Sequence, residues 1–335
     1  MKPTVYARLA LRVLQYKFSG RRAPAIVSFI VTSRCPHGCA MCGTGTSPRD
    51  EISTKAALDL INRLADAGMV KMIFTGGEPF LREDLSLLVR HCVKRGVSVS
   101  VNTSGFGIES HPHLLEHLNP LRMSLDGPEE INDRIRYPGA FRDVIRGIRF
   151  CRERKIPIAL MCTINHVNVG HLRETSEIAR DQGVPIAFHP CGETLLRGKE
   201  SNPLMLTPDR IRHAMEELIT LKTENPFIAN SHFGLGLYTD RRGTRAIQCL
   251  AGRLFCRVEP DGRVKGCGWD RWSPQDLNLL DMPVPDALGR IPGMHCDLCL
   301  CMSRFELNAV VDNMARGVFQ HLVHSPLGKG MKDLW

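Results

Sequence analysis

Residues 25–42 read AIVSFIVTSRCPHGCAMC, and this stretch decides how the rest of the chain is interpreted. Its first eight residues form a largely apolar run, which is typical of a β-strand buried on both faces. The predicted strand leads directly into a loop that carries Cys35, Cys39 and Cys42. Three thiolates on one loop can hold a metal centre and leave one coordination position open for another molecule.

Strand and helix patterns alternate from residue 25 to residue 225. Each of six apolar strands is followed by a helix whose apolar residues recur at helical spacing. Six such units in a row predict a parallel sheet with helices outside it, in an α/β fold. The spacing alone leaves two architectures open, a partial or full barrel and a doubly wound sheet. The predicted strands are 25–32, 70–75, 97–102, 121–125, 158–164 and 184–189.

The two ends of the chain depart from this rhythm. Residues 4–18 predict an amphipathic basic helix, with Val5, Leu9, Val13 and Tyr16 at helical spacing. Residues 226–305 hold six of the 13 cysteines, which predicts a small cysteine-rich domain organised around metal. A last helix is predicted over 305–323 and a loose tail after it. The predicted units are therefore 1–24, 25–225, 226–305 and 306–335.

Composition bounds the setting and the ligands. The first 25 residues lack the apolar core and cleavage site of a signal peptide, and no apolar run approaches the roughly 20 residues of a spanning helix. We therefore expect a cytoplasmic protein, whose clustered thiols serve metal or redox chemistry rather than disulfides. The net charge of +9 favours an anionic substrate, partner or membrane surface, although a well solvated basic enzyme would carry it equally. Aromatic residues make up only 6% of the chain and are not interleaved with a basic patch, so nucleic acid is not expected as a partner.

A Gly-Gly-Glu-Pro sequence, the GGEP segment, comes directly after the second predicted strand. With the three cysteines after the first strand, it resembles the radical S-adenosylmethionine (SAM) superfamily. The resemblance implies a partial (β/α)6 TIM-like barrel, a [4Fe–4S] cluster on the cysteine loop, and SAM on the open iron. It also implies that the amino group of SAM is held by Gly76, Gly77, Glu78 and Pro79.

Two further stretches are similar to SAM-binding residues of that superfamily. One is Ser124-Leu125-Asp126-Gly127 and the other ends at Arg136. The resemblance implies that Ser124 and Arg136 reach the carboxylate and ribose of SAM, within a motif that includes Asp126. A capped turn and a surface ion pair are the alternative reading. Two other residues are expected at the pocket, Asn102 in an Asn-Thr-Ser-Gly sequence and Met41, which replaces the usual aromatic residue near the adenine.

Six cysteines near the carboxyl end form a second group. An Asp-Gly pair at 261–262 predicts a hairpin turn between two of them. The spacing resembles SPASM and twitch cluster domains, and the short final run favours the twitch form with one auxiliary [4Fe–4S] cluster. A zinc site with four cysteine ligands is the alternative. The resemblance implies the ligands Cys249, Cys267, Cys296 and Cys299, with Cys256 and Cys301 as substitutes.

The resemblance implies an enzyme that takes an electron from a reductant such as flavodoxin or ferredoxin and cleaves SAM to a 5′-deoxyadenosyl radical. That radical would remove hydrogen from a peptide, a sugar or aminocyclitol, or a lipid-linked small molecule. The auxiliary cluster would assist oxidation or bind substrate. The basic N-terminal helix adds peripheral membrane contact as an expectation, although such a helix can equally pack across the barrel. A non-catalytic iron–sulfur or zinc protein, serving electron transfer or as a scaffold, is the alternative function.

Overall fold

The computed structural model describes residues 3–42, 50–192, 201–240, 247–294, 296 and 298–315 of the chain. The strands lie in one sheet of order β6-β5-β4-β3-β2-β1-β7-β8. Neighbours from β1 to β6 are parallel and consecutive in the chain, as in an open barrel, and the order does not reverse as it does in a doubly wound sheet. The strands are β1 (Ile26–Thr32), β2 (Lys71–Gly76), β3 (Ser98–Thr103), β4 (Leu118–Ser124), β5 (Ile158–Ile164), β6 (Ile186–Pro190), β7 (Phe255–Val258) and β8 (Val264–Lys265).

Helices follow the parallel strands and cover one face of the sheet. A serine caps the second of them, because the Ser53 hydroxyl accepts a hydrogen bond from the backbone N–H of Ala56. The helices are α1 (Pro3–Ser19), α2 (Thr54–Asp66), α3 (Leu85–Lys94), α4 (Pro112–Leu115), α5 (Glu129–Ile135), α6 (Ala140–Glu153), α7 (Leu172–Asp181), α8 (Pro208–Glu224), α9 (His232–Thr239), α10 (Val284–Arg290) and α11 (Met302–Ala315). The predicted partial (β/α)6 barrel is confirmed.

Side chains alternate between the two faces of each strand. Phe29 and Phe74 point toward the helices, where their ring centroids lie 6.2 Å apart. The residues directly before them, Ser28 and Ile73, point to the opposite side of the sheet and are in register with each other and with Ser100 on β3. We call that side the inner face of the sheet.

Helix α1 packs on the outside of the barrel through the face that the sequence predicted. Val5 and Val13 are buried, and Leu9 and Tyr16 pack against the main core. The Arg12 guanidinium donates to the backbone carbonyl of Gly68, 3.1 Å away. Among the helices that the structure describes, none has the length and apolar character needed to cross a membrane.

The cysteine-rich region is joined to the barrel through the sheet. β7 pairs in parallel with β1, and β8 returns antiparallel to β7, so the predicted hairpin is confirmed. The indole of Trp269 covers Gly192, at the end of β6, so closely that a Cβ there would lie 2.0 Å from the ring. The last described helix begins at Met302, three residues before the predicted start, and its predicted end lies outside the described residues.

Candidate active site and auxiliary metal centre

The cysteine loop and the GGEP segment lie against each other at the carboxyl ends of β1 and β2. The backbone N–H of Gly77 donates to the carbonyl of Thr32, and that of Glu78 to the carbonyl of Arg34, both at 2.8 Å. A Cβ on Gly77 would lie 2.0 Å from the Arg34 carbonyl oxygen and 2.9 Å from Cβ of Cys35. Only glycine therefore permits this approach of the two motifs.

The three cysteines of the loop are not in disulfide bonds, and all three are half-buried. The backbone N–H of Cys42 donates to the carbonyl of Cys39 at 3.0 Å, which turns the loop back on itself. Burial raises the pKa of the Cys39 thiol to about 11, so a metal must displace its proton. A loop with three thiols and no fourth suits a [4Fe–4S] cluster that keeps one iron open.

The carboxyl of Glu78 is buried and hydrogen-bonded by the loop after β3. It accepts from the Thr103 hydroxyl at 2.8 Å, from the Ser104 hydroxyl at 2.7 Å and from the Ser104 backbone N–H at 2.9 Å. Burial raises the pKa of Glu78, and these hydrogen bonds oppose that rise. The side chain of Glu78 thus ties the GGEP segment to the next strand and its loop, whereas the backbone of Gly77 and Glu78 contacts the cysteine loop.

Asp126 and Arg136 form a buried ion pair, with Oδ2 and Nη2 2.7 Å apart. Burial disfavours the charge of Arg136, but the carboxylate of Asp126 and the nearby thiol of Cys39 outweigh that effect and raise its pKa. The surface ion pair considered as an alternative is therefore excluded. Within the described residues the Nε atom of Arg136 makes no hydrogen bond, although it is buried.

The other residues predicted to bind SAM lie at the carboxyl ends of the neighbouring strands. Asn102 and Ser124 are at the ends of β3 and β4, and both are half-buried. The Oδ1 atom of Asn102 is buried and accepts no hydrogen bond from the described part of the protein. Buried polar atoms are nearly always satisfied, so Asn102 and Arg136 present groups that a polar ligand would satisfy.

Met41 belongs to a small apolar cluster that is separate from the main core. It is 8% exposed and packs with Ile135, Cys191 and Leu204. The cluster lies beside the cysteine loop, because the Ala40 backbone N–H donates to the carbonyl of Ile135 at 3.0 Å. It provides an apolar surface of the kind on which an adenine packs.

Aromatic contacts at the cysteine loop were not foreseen from the sequence. The imidazole of His37 stacks on the ring of Tyr137, with centroids 3.5 Å apart and planes 4° from parallel. Phe106 meets the same imidazole edge-on at 5.2 Å. These residues hold the middle of the loop against the turns after β3 and α5. Their separation along the chain gives no sequence signal that they meet.

The second group of cysteines surrounds a cavity of about 370 Å³. All four predicted ligands line it, and the substitute Cys301 lines it as well. The other substitute, Cys256, is buried on β7 and is absent from the lining. Phe255 and Arg304 also line the cavity. The lining cysteines are Cys249, Cys267, Cys296, Cys299 and Cys301.

A carboxylate fixes the turn that presents Cys267 to this cavity. Asp270 accepts hydrogen bonds from the backbone N–H groups of Gly266 at 2.6 Å, Trp272 at 2.9 Å and Ser273 at 2.9 Å. Among the described residues, no three His, Cys, Asp or Glu side chains converge closely enough for a single metal ion. Thiol side chains around one cavity suit an iron–sulfur cluster or zinc.

A family model described as the Radical SAM superfamily matches residues 29–179, which include the cysteine loop, the GGEP segment and the Asp126–Arg136 pair. The chain contains a radical SAM domain over these residues. It is an enzyme. A domain of this kind implies a [4Fe–4S] cluster and SAM as cofactors.

The relatives give the same assignment. The chain is 29% identical over 280 residues to an AdoMet-dependent heme synthase of Methanosarcina barkeri, covering 74% of this chain and 77% of that protein. It is 25% identical over 269 residues to the mycofactocin maturase MftC of Mycobacterium ulcerans, covering 76% and 71%. The crystal structure of Streptococcus suis SuiB bound to S-adenosylmethionine matches with a TM-score of 0.67 at 14% identity, covering 86% of this chain and 69% of that one. At that identity the match shows the fold alone.

Proposed function

We propose that the protein cleaves SAM reductively at a cluster held by Cys35, Cys39 and Cys42 and oxidises a substrate bound inside the barrel. The observation that carries this proposal is the contact of Gly77 with the cysteine loop, which brings the GGEP segment directly beside three cysteines that are not in disulfide bonds. A [4Fe–4S] cluster held by these cysteines, with SAM bound, would supply the electron for reductive cleavage of SAM and so the radical chemistry that removes hydrogen from a substrate. The chain supplies the binding, the orientation and the exclusion of water.

The roles of the SAM-binding residues are part of the proposal. The backbone at Gly76 and Gly77, with Pro79 behind it, receives the ammonium group of SAM. Glu78 holds that backbone in place, because its carboxylate accepts hydrogen bonds from Thr103 and Ser104.

The remaining polar atoms and the apolar cluster complete the site. Ser124 and Arg136 receive the carboxylate and ribose of SAM, with Asp126 orienting Arg136. The buried Oδ1 atom of Asn102 accepts a hydrogen bond from the same ligand. The adenine packs on Met41 and its apolar neighbours.

We propose an auxiliary [4Fe–4S] cluster in the C-terminal cavity, held by Cys249, Cys267, Cys296 and Cys299. Cys301 is the nearest substitute, because it shares the cavity, and Cys256 ranks below it. An oxidation leaves one electron after hydrogen removal, and a second cluster close to the barrel can accept it. Flavodoxin or ferredoxin would supply the first electron.

The substrate classes are a peptide or a small molecule. A relative named PqqA peptide cyclase and the mycofactocin maturase support a peptide, and the heme synthase supports a small molecule. We propose that the protein acts in the cytoplasm.

Membrane contact through α1 is a separate part of the proposal. The side of α1 that faces away from the barrel carries Leu11, Leu14 and Phe18, of which Phe18 is 87% exposed. Lys17 and Arg21 are exposed beside them. An exposed apolar stripe flanked by basic side chains suits the surface of an anionic bilayer.

The test of the SAM chemistry uses the full chain, reconstituted with iron and sulfide under anaerobic conditions. With dithionite and SAM, we expect 5′-deoxyadenosine and methionine in equal amounts, measured by liquid chromatography and mass spectrometry. A fully reconstituted protein that forms neither product would refute the proposal.

A further inference from the structure

Arg304, in the first turn of α11, connects the barrel to the auxiliary cavity. Its Nη2 atom donates to the Ser28 hydroxyl on the inner face of β1 at 2.8 Å. The same side chain lines the cavity that is surrounded by the second group of cysteines. Arg304 carries no signal in the sequence, because a single arginine beside a predicted helix is usually a surface residue.

Arg304 is nevertheless buried, with only 8% of its surface exposed. Burial lowers the pKa of its guanidinium, and the neighbouring thiols of Cys301, Cys256 and Cys267 oppose that fall when they are ionised. Thiols that hold a metal are ionised, because the metal displaces their protons. A buried cation is tolerated where hydrogen bonds and negative charge compensate it. A metal centre in the cavity would therefore favour the charged form of Arg304.

Two contacts hold the guanidinium in place. It stacks over the ring of Phe255, whose centroid lies 4.9 Å from Cζ. The hydrogen bond to Ser28 fixes one end of the planar group. Phe255 belongs to β7 and Ser28 to β1, and these two strands pair with each other. Arg304 is thus oriented by the sheet itself, so its remaining donors have a fixed direction.

The start of α11 also ties Arg304 to the cysteines of the cavity. The backbone N–H of Phe305 donates to the carbonyl of Cys301 at 2.9 Å, so Arg304 lies about one helical turn from that cysteine. Tyr238 meets the ring of Phe305 edge-on, with centroids 5.2 Å apart, and its hydroxyl donates to the carbonyl of Cys299. The helix therefore has a defined position relative to two cysteines that line the cavity.

One donor atom of Arg304 is available to a ligand. Within the part of the chain that the structure describes, Nη1 is buried and makes no hydrogen bond. Buried donors of this kind are rare and indicate a missing partner. The other terminal nitrogen, Nη2, already donates to Ser28. Nη1 can therefore donate to whatever occupies the cavity.

We propose that Arg304 donates a hydrogen bond through Nη1 to a sulfur of the auxiliary cluster and raises the reduction potential of that cluster. The inference rests on the proposed function, since it concerns the cluster assigned to this cavity. A cluster held by thiolates carries net negative charge, and reduction makes it more negative. A fixed, buried cation that donates to sulfur stabilises the reduced form more than the oxidised form. Arg304 thereby makes the cluster a better acceptor for the electron left by substrate oxidation.

The test measures the reduction potential of the auxiliary cluster alone. The background protein is the full chain with Cys35→Ala, Cys39→Ala and Cys42→Ala, reconstituted with iron and sulfide, so that only the second site holds iron. A potentiometric titration is followed by electron paramagnetic resonance. We expect Arg304→Met to shift the equilibrium toward the oxidised cluster at least ~10-fold, which lowers the one-electron potential by about 59 mV.

Two further variants separate the hydrogen bond from charge alone. Arg304→Lys keeps the charge but loses the fork of donors, so it should lower the potential by a smaller amount. Arg271→Met is the matched control, because it removes an exposed arginine that lines the same cavity. Solvent and salt screen an exposed charge, so this variant should stay within ~2-fold of the background in the same equilibrium.

Iron analysis on the same samples shows which proposal fails. If Arg304→Met holds the full iron of the background and keeps its potential, the inference is overturned while the auxiliary cluster stands. Equal falls in Arg304→Met and Arg271→Met would also overturn it, since charge alone would then explain them. If Arg304→Met binds no iron, Arg304→Lys decides, and an unchanged potential in that variant counts against the inference. A background protein with no iron would remove the auxiliary cluster itself, and the inference with it.

Discussion

Gly77 is the residue at which the GGEP segment contacts the cysteine loop. Replacing it by alanine puts a Cβ 2.0 Å from the Arg34 carbonyl oxygen, and the cysteine loop must move. Overpacking of this kind costs about 1–3 kcal/mol. We expect Gly77→Ala to lower the rate of 5′-deoxyadenosine formation at least ~10-fold. Gly170→Ala is the matched control, since a Cβ at Gly170 meets nothing within 4 Å. Equal rates in the two variants would contradict the close contact.

Glu306 predicts a pH dependence of stability. Burial raises its pKa from 4.5 to about 7, so its stabilising contribution is complete below pH 4.5 and is lost as the pH rises through 7. Glu306→Gln removes this titration. Relative to that variant, the wild type should lose roughly 2–3 kcal/mol of unfolding free energy between pH 5 and pH 8. Urea unfolding at both pH values measures this, and parallel losses in the two proteins would show that Glu306 titrates normally.

The sequence indicates which residues come together at the candidate site but not which atoms they contact there. The three cysteines, the GGEP segment and Arg136 were identifiable because their spacing is itself the signal. The hydrogen bonds of Glu78 to Thr103 and Ser104 were not, since the partners belong to the next strand and loop.

The exposed apolar side chains of helix α1 predict that the protein binds membranes through this helix. Transferring Leu11 and Phe18 from water into the bilayer interface contributes about 1.5–3 kcal/mol for each side chain that is fully buried. The double variant Leu11→Ser, Phe18→Ser should therefore bind phosphatidylglycerol vesicles at least ~10-fold more weakly in a sedimentation assay. Leu87→Ser, which removes an exposed leucine from α3, is the control. If the double variant sediments like the control, α1 serves only to pack on the barrel.

The auxiliary cavity makes a prediction about iron content. Cys299→Ser removes a lining thiol and should lower the iron of the reconstituted protein by about four atoms per chain. Cys256→Ser should leave it unchanged, because Cys256 is buried on β7 outside the lining. Iron analysis and electron paramagnetic resonance distinguish the two variants. Loss of iron in Cys256→Ser alone would reverse the assignment of these two cysteines.

Most elements were predictable within a few residues because their apolar patterns are regular. β4 is the exception, since it begins at Leu118 rather than at residue 121. Asn119 and Pro120 interrupt the pattern there, and proline is rarely found inside a strand. The sheet accepts them because Ser100 on β3 donates through its hydroxyl to the Asn119 carbonyl at 2.9 Å.

At the scale of the whole molecule, the C-terminal region is an extension of the barrel sheet. The sequence divides the chain at residue 225, because the strand–helix rhythm ends there. In the structure β7 pairs with β1, and Arg304 of α11 reaches Ser28 inside the barrel. Residue 225 therefore marks a change in the sequence pattern. The packing is continuous across it, because the same sheet connects the regions that carry the two groups of cysteines. Such long-range pairing leaves no local trace in a sequence.

The central claim is that the three thiols of the first loop carry SAM cleavage. The most direct measurement compares 5′-deoxyadenosine formation by the reconstituted wild type with that of the triple variant Cys35→Ala, Cys39→Ala, Cys42→Ala, with iron content determined on the same samples. The account predicts that the variant loses about four irons per chain, retains the iron of the second site and forms no 5′-deoxyadenosine above the protein-free blank. Cleavage at the wild-type rate in a variant that had lost this iron would contradict it.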